Sequence, residues 1–144
     1  MRLTRAEARH ADELTELVLS SKAYEGDYAS ILDGYRVTAG YVERNVVFLA
    51  ERNGEVLGFY GLVVDSAELD IMFVANEAQG LGVGALLVEH MLDQARQRGI
   101  SAVRVVSHPP AAGFYERMGA RRIGVIPARP PEVRWERPEL VFDV

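Results

Sequence analysis

A chain of 144 residues has the length of one domain, and with 49% hydrophobic and 26% charged residues it can bury a core rather than stay disordered. Twenty-one acids against 16 Lys and Arg leave a net charge of −5, which argues against nucleic-acid binding driven by phosphate contacts. With no cysteine, disulfides, thiolate metal sites and a cysteine nucleophile are excluded.

Met1 to Arg5 reads as a short opening strand. Charged residues follow it instead of an apolar segment, so no signal peptide is expected. Ala11, Leu14, Leu17 and Val18 recur at helical spacing, with Glu13 and Glu16 facing away, which predicts an amphipathic helix from about His10 to Ser21. Between Lys22 and Asn45, Asp27 caps a second predicted helix through Ile31, Leu32 and Tyr35, and Gly34 and Gly40 interrupt it. Val46 to Glu51 and Val56 to Val64 form a predicted hairpin, with Asn53-Gly54 supplying the positive φ angles of a tight turn. Its second arm is an uncharged apolar run of nine residues, and no such run in the chain is longer. A membrane helix needs about 20, so no membrane span and a cytoplasmic chain are expected. Glu68 to Val74 follows as a third antiparallel strand.

A helix is predicted from about Gly82 to Arg98, with Leu87, Val88, Met91, Leu92 and Ala95 inward and Gly99 as its C-terminal cap. Ala102 to Ser107 is nearly all apolar, which suits a central strand. Ala111 to Met118 is a short helix closed by Gly119. Arg121 to Ile126 and Glu139 to Val144 are closing strands around a proline-rich loop. The order predicts a mixed α/β domain whose long helix crosses between two parallel strands. His10, His90 and His108 lie far apart, without metal-ligand spacing, so no metal site is expected.

The loop before the long helix, Val74-Ala75-Asn76-Glu77-Ala78-Gln79-Gly80-Leu81-Gly82-Val83-Gly84-Ala85, offers no Ser, Thr, Asp or Asn at the helix cap. Its first N–H groups therefore lack a side-chain acceptor, and the glycines admit a ligand close to the backbone. A bound phosphate at the positive end of the helix dipole satisfies both features; a solvated glycine-rich turn is the alternative. Gly80-x-Gly82-x-x-Ala85 formally fits a dinucleotide fingerprint. The antiparallel strands upstream, and the absence of an acid from Ser101 to Ser107, exclude that reading.

Val74-x-x-Glu77-x-Gln79-Gly80-x-Gly82-x-Gly84 closely resembles motif A of the GNAT superfamily of acyl-CoA-dependent N-acetyltransferases, whose Gln/Arg-x-x-Gly-x-Gly/Ala pattern is filled here by Gln79, Gly82 and Gly84. Further along, Phe114-Tyr115-Glu116-Arg117-Met118-Gly119-Ala120 resembles the family's Phe-Tyr-x-x-x-Gly-Phe signature. The resemblance implies a mostly antiparallel sheet with helices on both faces and a V-shaped splay between two parallel central strands. It implies acetyl-CoA as the acetyl donor. The pantetheine arm would meet Met72, Phe73 and Val74, and the pyrophosphate would meet Gln79, Gly80, Leu81, Gly82, Val83, Gly84 and Ala85. His108, Ala111, Phe114 and Tyr115 would complete the cofactor site. Many family members have an asparagine a few residues before Phe-Tyr. Here Ser107-His108-Pro109-Pro110 stands in that region, with His108 as a substitute donor or a loop-lining residue.

Acetylating an amine requires loss of its proton, since an alkylammonium has a pKa of about 10.4, and a proton for the leaving thiolate. The family likeness points Tyr115 at the sulfur as that acid; a packing tyrosine is the alternative. For the base, Asp70 is preferred and Glu68 second, two residues apart and hence on one strand face, unless water serves and both are merely exposed acids. The likeness places Tyr24, Glu25 and Tyr28 in the segment that shapes the acceptor pocket; scattered loop aromatics and helix-capping acids are the alternative. It implies a small-molecule or peptide amine acceptor and leaves a homodimer open. A degenerate module that binds acyl-CoA without turnover is the competing function.

Overall fold

The computed structural model describes residues 1–22, 32, 34–131 and 133–144. Seven strands form one sheet in the order β1-β2-β3-β4-β5-β7-β6. They are β1 (Arg2–Arg5), β2 (Val46–Arg52), β3 (Glu55–Val63), β4 (Glu68–Val74), β5 (Ala102–Val106), β6 (Arg121–Ile126) and β7 (Arg137–Asp143). Every neighbouring pair is antiparallel except β4 with β5. The β2–β3 turn is the one the sequence announces: Asn53 and Gly54 take φ of 53° and 79°.

The first helix, α1 (Ala11–Leu19), is preceded by one 3₁₀ turn at Ala8–His10. A further short helix, α2 (Ala39–Arg44), starts where the Thr38 side chain accepts the Tyr41 N–H, a cap the sequence reading passed over. The helix expected from Asp27 lies mostly outside the described residues. The long helix, α3 (Val83–Gln97), carries the expected apolar stripe: Leu87, Val88, Met91 and Ala95 are buried, and Leu92 is partly so. Beyond it Gly99 turns at φ 74°, letting the Ile100 N–H reach the Ala95 carbonyl. A last short helix, α4 (Ala112–Arg117), closes at Gly119.

Helices cover both faces of the sheet. On one, α3 packs over Tyr60, Leu62, Leu69, Val103, Val105, Leu140 and Phe142. On the other, Leu14 and Val18 of α1 and Val42 of α2 pack over Val47, Leu49, Phe59, Ile71 and Phe73. Gly58 sits beneath α3, where a Cβ would come within 2.8 Å of the Phe73 carbonyl and 3.1 Å of Val83, so the helix can approach the sheet closely. No helix among the described residues is long and apolar enough to cross a membrane.

Two local features open the sheet at its centre. Parallel β4 and β5 pair only at Glu68 and Arg104, where the Arg104 N–H meets the Ala67 carbonyl at 2.9 Å. Past that vertex the strands separate, as expected. The register of β3 against β4 also slips: Gly61 faces Ile71 and Leu62 faces Leu69, so Asp70 is the extra residue of a β-bulge. Leu69 consequently joins the α3 core, whereas Ile71 and Phe73 join the α1 core.

Candidate active site

The splay is a cleft of about 760 Å³. One wall is β4, with Asp70, Met72, Phe73 and Val74 along it. The floor toward α3 is Gln79, Gly80, Gly82, Val83, Gly84 and Ala85. The opposite wall is His108, Ala111, Phe114 and Tyr115. Fourteen residues expected from separate stretches of sequence therefore meet in one space. Tyr24, Glu25 and Tyr28 lie outside the described residues.

The glycine loop holds its shape through two left-handed residues, Gly80 (φ 82°) and Gly82 (φ 80°), where any other residue is strained. Gly82 is the N-cap of α3 and provides no side-chain acceptor. Within the loop, the Gln79 N–H bonds the Asn76 carbonyl and the Leu81 N–H bonds the Ala78 carbonyl, both at 3.3 Å. Among the described residues, no acceptor takes the N–H groups of Gly80, Gly82, Val83, Gly84 and Ala85. An anion is the partner such a row fits. Leu81 departs from expectation: its side chain is 48% exposed, it does not line the cleft, and its N–H is already used. Gln79 turns its side-chain amide onto the Val74 carbonyl at 3.1 Å, tying the loop to the end of β4.

Gly84 joins the two sequence signatures physically. A Cβ there would lie 3.1 Å from Cζ and 3.3 Å from Cε1 of Phe114, so the missing side chain is the space the Phe114 ring fills. Tyr115 follows, only 7% exposed, with edge-to-face contacts to Phe114 (5.4 Å between centroids) and Phe142 (6.3 Å).

The two carboxylates of β4 have different fates. The Tyr41 hydroxyl donates to Asp70 Oδ2 at 2.7 Å. Burial, then the hydrogen bond to Asp70, pushes the Tyr41 phenol far above its ordinary range, so it remains a donor at any working pH. Tyr41 reaches Asp70 because residue 61 is glycine: a Cβ there would collide with the Tyr41 hydroxyl and come within 2.9 Å of Ile71. Glu68 is instead absent from the cleft lining, and its carboxylate accepts from Arg104 Nη1 at 3.1 Å. Arg104 Nε also donates to Glu139, so one guanidinium staples β4, β5 and β7 at the vertex. Glu68 and Asp70 do share the face turned away from α3, but Arg104 holds Glu68 at the vertex and only Asp70 lines the cleft.

Other residues line the cleft or buttress it, and of these Asn76, Arg117 and Arg137 are given no role there by the sequence. Tyr41 had one signal, the glycine at position 61 inside a strand, which marks a close approach. Asn76 clasps the loop to the end of α1, donating to the Ser20 carbonyl at 2.7 Å and accepting from the Lys22 N–H at 2.9 Å. Tyr35, Trp135, Arg117 and Arg137 also line the space. Among the described residues no cluster of His, Asp and Glu could hold a metal ion.

The splay between two parallel strands ends at a helix without a side-chain cap, in a glycine loop whose N–H row suits an anion. The family model of the GNAT acetyltransferases matches residues 11–120, and the chain belongs to that family. It is 36% identical over 77 residues to a 5-NmdU N-acetyltransferase of Pseudomonas phage PaMx11. That match covers 51% of this chain and 55% of the phage protein, so the chain spans about half of that relative. In structure it is similar to a GCN5-related N-acetyltransferase from Rhodopseudomonas palustris, with a TM-score of 0.86 at 16% identity, covering 99% of this chain and 95% of that one. It is also similar to a GNAT family acetyltransferase from Elizabethkingia anophelis with acetyl-CoA bound, at a TM-score of 0.61 and 17% identity over 73% of this chain and 80% of that one.

Proposed function

We propose that the chain transfers the acetyl group of acetyl-CoA directly to a primary amine of a small molecule or peptide within a ternary complex. One observation carries this reading: the N–H row at the start of α3, which finds no acceptor among the described residues, opens into the same cleft as Tyr115 and Asp70. The N–H groups of Gly80 and of Gly82 to Ala85 would hold the pyrophosphate, and the β5-facing edge of β4 from Met72 to Val74 would hold the pantetheine arm. Acetyl-CoA supplies the acetyl group already activated as a thioester.

The protein's own groups manage the protons. Asp70 Oδ1 or Oδ2, directly or through one water, takes a proton from the acceptor ammonium. Tyr41 positions that carboxylate and keeps its own proton. The Tyr115 phenol gives its proton to the departing sulfur. Each transfer of this kind is worth about 10²–10⁴-fold in rate. Glu68 has no part in this scheme, because Arg104 holds it at the vertex.

Native mass spectrometry of the purified protein with CoA, acetyl-CoA, ATP and NAD tests the reading. Adducts with CoA and acetyl-CoA alone are expected, and adding an acceptor amine should convert the acetyl-CoA adduct to the CoA adduct. A preference for ATP or NAD would overturn the loop assignment. Acetyl-CoA binding without loss of the acetyl group to any amine would identify a binding module instead.

A further inference from the structure

Taking the cleft as an acetyl-transfer site, we infer that the acceptor amine carries a carboxylate and that Arg137 receives it. Arg137 opens β7 and lines the cleft. Along β7, Leu140 and Phe142 point into the α3 core, so alternation puts Glu139 and Arg137 on the other face. Arg104 stands on that face as well, opposite Val103 and Val105, and so does Tyr41, which bonds Asp70. Arg137 and Asp70 therefore border the part of the cleft on the far side of the sheet from α3.

The charges there are unequal in their needs. Arg104 is neutralised by Glu68 and Glu139 together. Arg137 has no carboxylate partner among the described residues, and its Nε is buried without any hydrogen-bond acceptor. Arg117 also lines the cleft, but it is exposed and belongs to α4, on the α3 side. A guanidinium always carries its charge, and its planar fork of N–H donors matches a carboxylate bidentately. A shielded Nε–H with no protein acceptor is unfavourable, and a ligand oxygen there relieves it. Asp70 on one side and Arg137 on the other thus suit an acceptor with a cationic amine and an anionic carboxylate, the pattern of an amino acid. A plain amine would leave Arg137 unsatisfied.

The test compares the common L-amino acids with their α-carboxamides, which differ only in that charge, as acceptors with acetyl-CoA. CoA thiol release is measured for the wild type, Arg137→Gln and Arg137→Lys, and acetyl-CoA binding is measured separately by calorimetry. At least one amino acid should be acetylated 10-fold or more faster than its amide in kcat/KM. Arg137→Gln should lower its rate roughly 10–100-fold while leaving the amide within about twofold. Arg137→Lys should recover part of the preference, since it restores charge without the fork. The inference is overturned if amides react as well as acids, or if Arg137→Gln slows both members of a pair alike. It is also overturned if that variant weakens acetyl-CoA binding, or if no amino acid reacts while acetyl-CoA binds normally. Failure of the wild type to bind acetyl-CoA would instead remove the acetyl-transfer reading beneath it.

Discussion

Replacing Gly82 with Asp separates the loop's shape from its charge. Gly82 sits at φ 80° with no heavy atom within 4 Å of where a Cβ would be, so the substitution meets strain but no clash. A left-handed non-glycine residue costs roughly 1–2 kcal/mol, with Asp and Asn at the lower end. An acid at a helix N-terminus returns about 0.3–1 kcal/mol, so the fold should lose no more than about 1 kcal/mol. Binding should suffer far more. Two like charges about 4 Å apart near a protein surface repel by about 4 kcal/mol, which is roughly 10³-fold in Kd for acetyl-CoA. Gly82→Asn has nearly the same shape and no charge, and its affinity should fall by less than about tenfold. Calorimetric titration with acetyl-CoA at low and at moderate salt reads the gap, which should narrow as salt is added. Equal affinities for the Asp and Asn variants, both folded by thermal denaturation, would refute a phosphate at the start of α3.

The remaining expectations concern the carboxylates and one histidine. Asp70→Asn should lower the acetylation rate most at low pH, where free amine is scarcest; a pH–rate profile lowered uniformly would point to water as the base. Glu68→Gln should leave kcat and its pH profile unchanged and cost about 0.5–1 kcal/mol in denaturant unfolding, because its pair with Arg104 is partly exposed (26% and 39%). A selective loss of rate at low pH in that variant would return Glu68 to the catalytic set. His90, bonded to the Tyr60 hydroxyl at 2.8 Å, has its pKa lowered from an ordinary value of 6.5 by burial. The unfolded chain then binds the extra proton first, so unfolding free energy should fall as pH drops below about 6.5, and His90→Gln should flatten that slope.

The parts of this molecule written in local sequence were legible: the Asn53-Gly54 turn, the α3 stripe, the uncapped glycine loop and the family likeness that pointed to Tyr115. Each depends on spacing within a few residues. The β4 bulge was not legible, since Glu68-Leu69-Asp70-Ile71 contains no glycine or proline to mark a register shift, and neither was the Arg104 pairing that sets Glu68 apart from Asp70. Tyr41 and Asp70 lie 29 residues apart, and Arg104 and Glu68 lie 36 apart; only the sheet order brings either pair together. Gly61 and Gly84 were the traces such contacts left in the sequence. One makes room for Tyr41 and the other for Phe114. A glycine within a strand or helix can therefore be read as a request for a distant ring. Arg137 left no such trace, since a lone arginine after a proline-rich loop reads as surface.

The most direct test of the proposed chemistry is the single-turnover rate of Tyr115→Phe with acetyl-CoA and a saturating acceptor amine. The ring is held between Phe114 and Phe142, so losing one hydroxyl should leave the fold and acetyl-CoA affinity in place. The rate should fall about 10²–10⁴-fold, and the deficit should shrink with an acetyl donor whose thiol has a low pKa and leaves without a proton. A variant that keeps the full rate with acetyl-CoA would contradict the account and leave Tyr115 a packing residue.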